Sequence, residues 1–133
     1  MTPAERSVRM GLIRSRDTAP EIAVRRLVHG MGYRYRLHGK GLPGRPDLVF
    51  KSKRKVIFVH GCFWHQHSDP ACKNTRQPKS NTGYWAGKLQ LNIARDLEHE
   101  KALTSESWKV LTVWECELTN EPAIIKRLTR FLR

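Results

Sequence analysis

The residues best suited to chemistry lie in one run, His60-Gly61-Cys62-Phe63-Trp64-His65-Gln66-His67, with Cys72 just beyond. Imidazoles, thiols and two large aromatics share a stretch where an ordinary core needs no such mixture. The spacing Cys62-x4-His67-x4-Cys72 gathers three soft or borderline ligands, and the distant Cys116 completes a closed set of three cysteines and one histidine, the structural zinc type. An odd number of cysteines in a chain with no secretory signal argues against a disulfide framework. Inert buried thiols beside an unrelated histidine are the plain alternative. His65 falls off the ligand spacing and is free for another task.

A second chemistry centres on Asp47, which follows Pro46 at the start of an apolar stretch. A tight hairpin would bring Val59 and His60 alongside it. A carboxylate and the Val59 backbone carbonyl then make a partial cage of hard oxygens suited to Mg2+, which keeps its remaining positions for water and substrate phosphate. Phosphodiester hydrolysis needs such a site, with His60 and His65 placed to orient or deprotonate water or to protonate a leaving oxygen. A turn role after Pro46 would explain Asp47 as well. Glu21 is more ambiguous, because helix capping accounts for it fully.

These residues need elements to position them. Thr18-Ala19-Pro20-Glu21 has helix-start chemistry, with Thr18 as N-cap, proline in the first turn and Glu21 as capping-box partner. Ile22, Val24, Leu27, Val28 and Met31 give this helix an apolar side, and Gly30 and Gly32 stop it. Tyr33 to Leu37 reads as a half-exposed strand and His38 to Pro46 as loop. Asp47–Phe50 and Val56–His60 form a predicted hairpin about the basic turn Lys51–Lys55. The polar connection from Cys62 to Gly83 is long and needs an organiser, which the zinc supplies. A helix follows from Tyr84 to about Ser105, with Trp85, Leu89, Ile93 and Leu97 at i+4 steps, then a strand over Trp108–Trp114. Asn120 and Pro122 start a last helix carrying Ile124, Ile125, Leu128 and Leu132. The order α, β, β, β, α, β, α suits an α/β fold, a mixed sheet covered by helices, in one domain over residues 1–133 with a basic N-terminal arm at 1–17.

Charge points to the partner. Residues 1–60 carry 14 basic and 4 acidic side chains against 11 and 8 in the remainder, within a net of +13. Each phosphate neutralised by Lys or Arg releases condensed counterion, so a polyanion, most economically nucleic acid, is the expected partner. A merely solubilising surface is the alternative. The chain has no uninterrupted apolar segment of membrane-spanning length and no basic amphipathic helix with a wide apolar face, so no membrane partner is expected and the expected location is the cytoplasm, in association with the nucleoid when bound to DNA.

Several motifs together resemble one family. Gly44-Arg45-Pro46-Asp47 before an apolar run, His60-Gly-Cys-Phe-Trp-His65-x-His67, Pro78-Lys79-Ser80-Asn81-x-x-Tyr84-Trp85-x-x-Lys88-x-x-x-Asn92-x-x-Arg95-Asp96 and Val113-Trp114-Glu115-Cys116 are similar to the very short patch repair (Vsr) DNA mismatch endonucleases, as are Arg16-Asp17-Thr18 and Glu21. The likeness runs from about Arg9 to Leu118. It implies a type II restriction endonuclease-like fold and a magnesium-dependent enzyme that nicks one strand 5′ of the thymine in a T·G mismatch. By that resemblance Asp47 binds the metal, Val59 lends its carbonyl oxygen, His60 and His65 are catalytic, and Glu21 supports His65. The zinc ligands fall on Cys62, His67, Cys72 and Cys116, as spacing alone suggests.

The resemblance also implies how DNA is held. Phe63, Trp64 and Trp85 match aromatics that wedge beside the mispair, where weak stacking lowers the cost of unstacking. Met10 and Ile13 match apolar residues of the arm that approach from the opposite groove, and Lys88 and Asn92 match residues that touch the mispair. Core packing is the alternative for the three aromatics. Two departures stand out: His67-Ser-Asp-Pro-Ala-Cys72 is a wider spacing than relatives often show, leaving Asp69 as a bystander oxygen, and Leu91 replaces a commonly basic residue. A monomer is expected, and a mismatch-repair accessory protein is a further candidate partner. Two rivals stay open: a restriction-type nuclease cutting paired DNA, and a noncatalytic zinc-stapled DNA-binding module.

Overall fold

The computed structural model describes residues 18–68, 72 and 82–133. The basic arm with Met10 and Ile13, the Asp69 position and the Pro78–Asn81 motif lie outside the described residues.

The first helix, α1 (Ala19–Gly30), starts as its sequence requires: Thr18 is extended, its hydroxyl accepts from the Glu21 amide at 3.5 Å, and Pro20 sits in the first turn. Its chain end is closed by the Met31 amide on the Leu27 and Val28 carbonyls, and Gly32 at φ +92° turns the chain away. Strands β1 (Arg36–Leu37), β2 (Leu48–Phe50) and β3 (Lys55–His60) then form an antiparallel meander, with Leu48 opposite Ile57 and a short 3-10 turn at Lys51–Lys53 ending on left-handed Arg54. A short helical turn, α2 (Cys62–His65), and the long helix α3 (Thr82–Ser105) carry the chain over to β4 (Lys109–Trp114). Because β4 pairs parallel to β3, a crossover is obligatory, and α3 is part of it. A 3-10 turn over Glu115–Thr119 leads into α4 (Glu121–Leu132), whose N-cap Asn120 accepts from the Ala123 amide at 3.3 Å.

The sheet order is β1-β2-β3-β4, so β3 is central, and every residue from Val56 to His60 is buried. Alternation along β3 divides the core into two. Ile57 and Val59 face Val24 and Val28 of α1 and Ile124, Leu128 and Leu132 of α4. Val56 and Phe58 face Leu103 of α3 and Trp108. The expected mixed sheet covered by helices on both faces is therefore present.

Three local expectations change. The Tyr33–Leu37 strand shortens to Arg36–Leu37, the two residues that pair with β2, while Tyr33 and Tyr35, two apart and so on one side of the chain, pack against the α1/α4 core. Cys62–His65 is helical, not loop. Of the i+4 row on α3 only Leu89 is buried, while Ile93 and Leu97 are exposed along a cleft. The helix is held by buried Leu89 and Leu103 and, between them, by polar side chains described below.

Ile57 is fully buried at the centre of the larger cluster. Ile57→Ala should cost about 2–5 kcal/mol in urea unfolding; a loss below about 1 kcal/mol would mean the sheet is not packed on both helices.

Candidate active site and metal centre

Asp47 lies one residue before β2, where the hairpin register sets it beside the last turns of β3. Its Oδ2 accepts the Val59 amide at 2.6 Å. Its loop is shaped by the His38 amide on the Asp47 carbonyl at 3.2 Å and the Gly39 amide on the Pro46 carbonyl at 2.8 Å. From the first turn of α1, buried Glu21 meets the Asp47 carboxyl. Burial raises Asp47 to about 7; the Val59 amide opposes that rise, the charge and hydrogen bond of Glu21 add to it, and Arg25 opposes it more weakly. Arg25, one turn on, bonds Glu21 Oε2 at 3.2 Å and lies 3.5 Å from His38 Nε2.

His60 ends β3 and His65 ends α2, and their rings stack with centroids 3.8 Å apart and planes 6° from parallel. His65 Nδ1 lies 2.6 Å from Asp96 Oδ2 of α3. The structure thus gives His65 a different carboxylate from the one expected: Glu21 sits over the Asp47 loop, and α3 is the helix that packs on α2. Burial lowers His60 to about 4, the neighbouring His65 adds to the fall, and Asp96 opposes it. Its Nδ1 is buried with no hydrogen-bond partner among the described residues. Glu21, Asp47, Val59, His60, His65 and Asp96 all line one cleft of about 720 Å³.

The second cluster follows from the same strands. In the β3–β4 register His60 lies opposite Trp114, so Cys62 and Cys116, each two residues farther on, emerge side by side. Cys116 Sγ is 3.3 Å and Cys62 Sγ 3.9 Å from His67 Nδ1, and with Cys72 the four ligand atoms lie within 4.8 Å of one another. Tetrahedral zinc sites separate their sulfur and nitrogen ligands by roughly 3.5–3.8 Å. Burial pushes the Cys116 thiol up to about 12, helped by Cys62 and Cys72, and burial raises Cys62 as well. Clustered thiols that resist ionisation in the apoprotein are what a divalent cation converts to thiolates. The His67 ring stacks on Trp114 at 4.3 Å, which fixes its ligand face.

The turn α2 and the start of α3 carry the aromatics. Phe63 lies 5.1 Å from Trp64 and 5.5 Å from Trp85, and the two tryptophans are 5.9 Å apart. All three are half-buried and belong to neither core cluster, which removes core packing as their explanation. Lys88 Nζ stands 5.7 Å over the Trp64 ring, and Asn92 Nδ2 donates to the Trp64 carbonyl at 2.9 Å. Sequence reasoning did not single out Asp96, Arg25 or Tyr84. Asp96 and Tyr84 stand inside the quoted helix motif, and Tyr84, 61% exposed and 5.3 Å from Trp85, extends the aromatic group.

Comparison with known proteins places the chain in a family. A model of the family described as DNA mismatch endonuclease Vsr matches residues 1–72, which hold Glu21, Asp47, both catalytic-candidate histidines and three of the four clustered ligands. The chain belongs to the Vsr family. A type II nicking enzyme of Xanthomonas oryzae is 49% identical over 99% of this chain and 95% of its own length. Another from Neisseria meningitidis is 42% identical over 99% and 92%, and the DNA mismatch endonuclease Vsr of Escherichia coli is 40% identical over 97% and 84%. This Vsr-family chain also shares its fold with the catalytic domain of a homing endonuclease, at a TM-score of 0.59 and 19% identity over 86% of this chain and 94% of that one. It is a nuclease that acts on DNA. No helix among the described residues is long and apolar enough to cross a membrane.

The raised Asp47 carboxyl carries a stability consequence in magnesium-free buffer. The folded state holds a proton between its ordinary 3.8 and about 7, so the contribution of Asp47 to folding is fullest at low pH and is lost as pH rises through about 7. Asp47→Asn should therefore gain thermal stability over wild type from about pH 4 to about pH 7 and level off above, by no more than about 4 kcal/mol. A difference in melting temperature that is flat with pH would show that the carboxyl is not held protonated.

Proposed function

We propose that this chain is a magnesium-dependent endonuclease that nicks duplex DNA on the 5′ side of the thymine in a T·G mismatch and so starts very short patch repair. The carrying observation is the convergence of Asp47, His60 and the His65–Asp96 pair on one cleft, with the aromatic group on the adjoining turn and helix. Family membership, relatives named as mismatch endonuclease and nicking enzymes, and the basic charge support it.

Asp47 and the backbone at Val59 would hold magnesium, which when bound supplies Lewis-acid polarisation of the scissile phosphate. The buried, mutually repelling carboxyls of Asp47 and Glu21 fit a cation, since positive charge there relieves both burial and repulsion. The Asp96 contact puts a proton on His65 Nδ1 and leaves Nε2 as the acceptor for a proton from attacking water. Asp96 then stabilises the imidazolium so formed. His60, stacked on that ring and strongly disfavoured as a cation, orients through a neutral imidazole. Glu21 and Arg25 hold the Asp47 side of the cleft.

Zinc on Cys62, His67, Cys72 and Cys116 is the structural ion in this reading. It ties the wedge-bearing turn α2 to the end of β4. Phe63, Trp64 and Trp85 enter the stack at the mispair, Lys88 and Asn92 lie beside it, and Met10 and Ile13 of the arm, outside the described residues, approach from the other groove. The enzyme is taken to act as a monomer within one domain in the cytoplasm, with a mismatch-repair accessory protein as a candidate partner.

Incubated with magnesium, wild type should place a single nick in the thymine strand of a T·G duplex and leave paired duplex intact, and Asp47→Ala should not nick. Equal cleavage of paired DNA would favour a restriction-type nuclease; binding without any nick would favour a noncatalytic module. Zinc has its own readout: purified protein should carry one equivalent by metal analysis, and Cys116→Ser should lose it and lower the melting temperature. Full-length protein that is stable and metal-free after purification without chelator would rule out a structural zinc.

A further inference from the structure

Three polar residues of α3 at i, i+4 and i+7, Asn92, Asp96 and His99, share one face of the helix, and each meets a different working part of the site. Asn92 holds the carbonyl of Trp64 and Asp96 holds His65. His99 meets the loop of Asp47. The backbone at Gly44 comes so close to His99 that a Cβ there would lie 2.9 Å from the His99 Cβ and from the ring atoms Cγ and Nδ1, and Gly44 also has φ +73°. Glycine is thus required twice over, by conformation and by contact. The far side of the same loop is tied down by the Gly39 and His38 amides on the Pro46 and Asp47 carbonyls.

We propose that His99 is a positioning residue for Asp47, acting through Gly44, and that the Asn92–Asp96–His99 face of α3 is the common rail on which the aromatic turn, His65 and the metal loop are aligned. The proposal rests on the magnesium-nuclease reading above. Gly39 and His38 on one side and His99 on the other hold the loop that carries Asp47 to the Val59 amide. The helix that bears Trp85 and Lys88 therefore also sets the distance between His65 and Asp47. Supporting contacts of this kind typically change metal affinity or activity by about 10–100-fold when removed.

The test is a double-mutant cycle on the full chain with three readouts. His99→Ala should weaken magnesium binding, measured by calorimetry, by about tenfold, with affinity for a T·G duplex unchanged when measured without magnesium. It should also speed amide exchange at His38 and Gly39, whose bonds to the loop report its looseness. Gly44→Ala should be more damaging in the wild-type background than beside His99→Gly, because only that second change removes all three contacting atoms, Cβ, Cγ and Nδ1, and leaves the backbone strain alone. Equal effects of Gly44→Ala in both backgrounds, or unaltered exchange and magnesium affinity in His99→Ala, would overturn the proposal. A merely stabilising His99 would lower the melting temperature and leave magnesium affinity in place. Should wild type fail to nick the mismatched duplex, exchange and the stability cycle still judge His99 by themselves.

Discussion

The parallel pairing of β3 with β4 sets the register on which both ligand clusters depend. With His60 opposite Trp114, the residues that follow each strand end emerge on the same edge, and the two chains separate there with their last side chains still adjacent. Cys62 and Cys116 meet because each lies two residues past that pair. His60 stays buried at the pair itself and stacks on His65. A slip of one residue would reverse every side chain of β3 between the α1/α4 core and the α3 core. It would also send His60 away from the cleft. Since both faces of β3 are packed with apolar side chains, such a slip carries a core-sized cost, and the site inherits its precision from that cost.

Polar burial in the cleft works against stability and toward function. Two carboxyls share one edge, an imidazole nitrogen is buried with no hydrogen-bond partner among the described residues, and thiols crowd one another a few residues away. Each arrangement costs energy in the apoprotein. The costs share a cause: burial pushes the acidic groups toward their protonated forms and His60 toward its neutral one, so both clusters are short of charge, and a cation would draw the carboxyls and thiols back to their ionised forms. Arg25 supplies only a partial correction, being aimed at Glu21 from within the same helix.

How far all this was legible in the sequence differs by element. The hairpin, α1 with its Thr18 cap and the ligands Cys62, His67 and Cys72 could be read, because each depends on local spacing: alternation, a Thr N-cap before Pro20, or Cys and His steps within a short segment. Partners brought together by the crossover could not. Nothing in Asp96 itself marks it as the partner of His65, thirty-one positions away, and Glu21 looked the better candidate until α3 proved to be the helix lying on α2. The i+4 apolar row on α3 misled for a related reason. Ile93 and Leu97 follow core periodicity, but they stand next to Asn92 and Asp96 on the cleft side of α3, so beyond Leu89 the row opens onto the site instead of the core.

The aromatic turn gains its meaning from that compromise. A wedge that enters a base stack must stay out of the hydrophobic core yet be stiff enough not to fold back into it. Phe63 and Trp64 satisfy the first demand by sitting on a four-residue helix that is too short to pack alone. Stiffness then has to come from outside the turn. It is supplied at one end by Cys62 in the thiol cluster, at the other by His65 on Asp96, and in the middle by Asn92 on the Trp64 carbonyl. The residues that hold the aromatic turn are thus the same ones that hold His65, the histidine proposed to react. On the proposed reading, force that DNA exerted on the aromatics would reach the imidazole through only a few bonds, which would give mismatch engagement a short physical route to the chemistry.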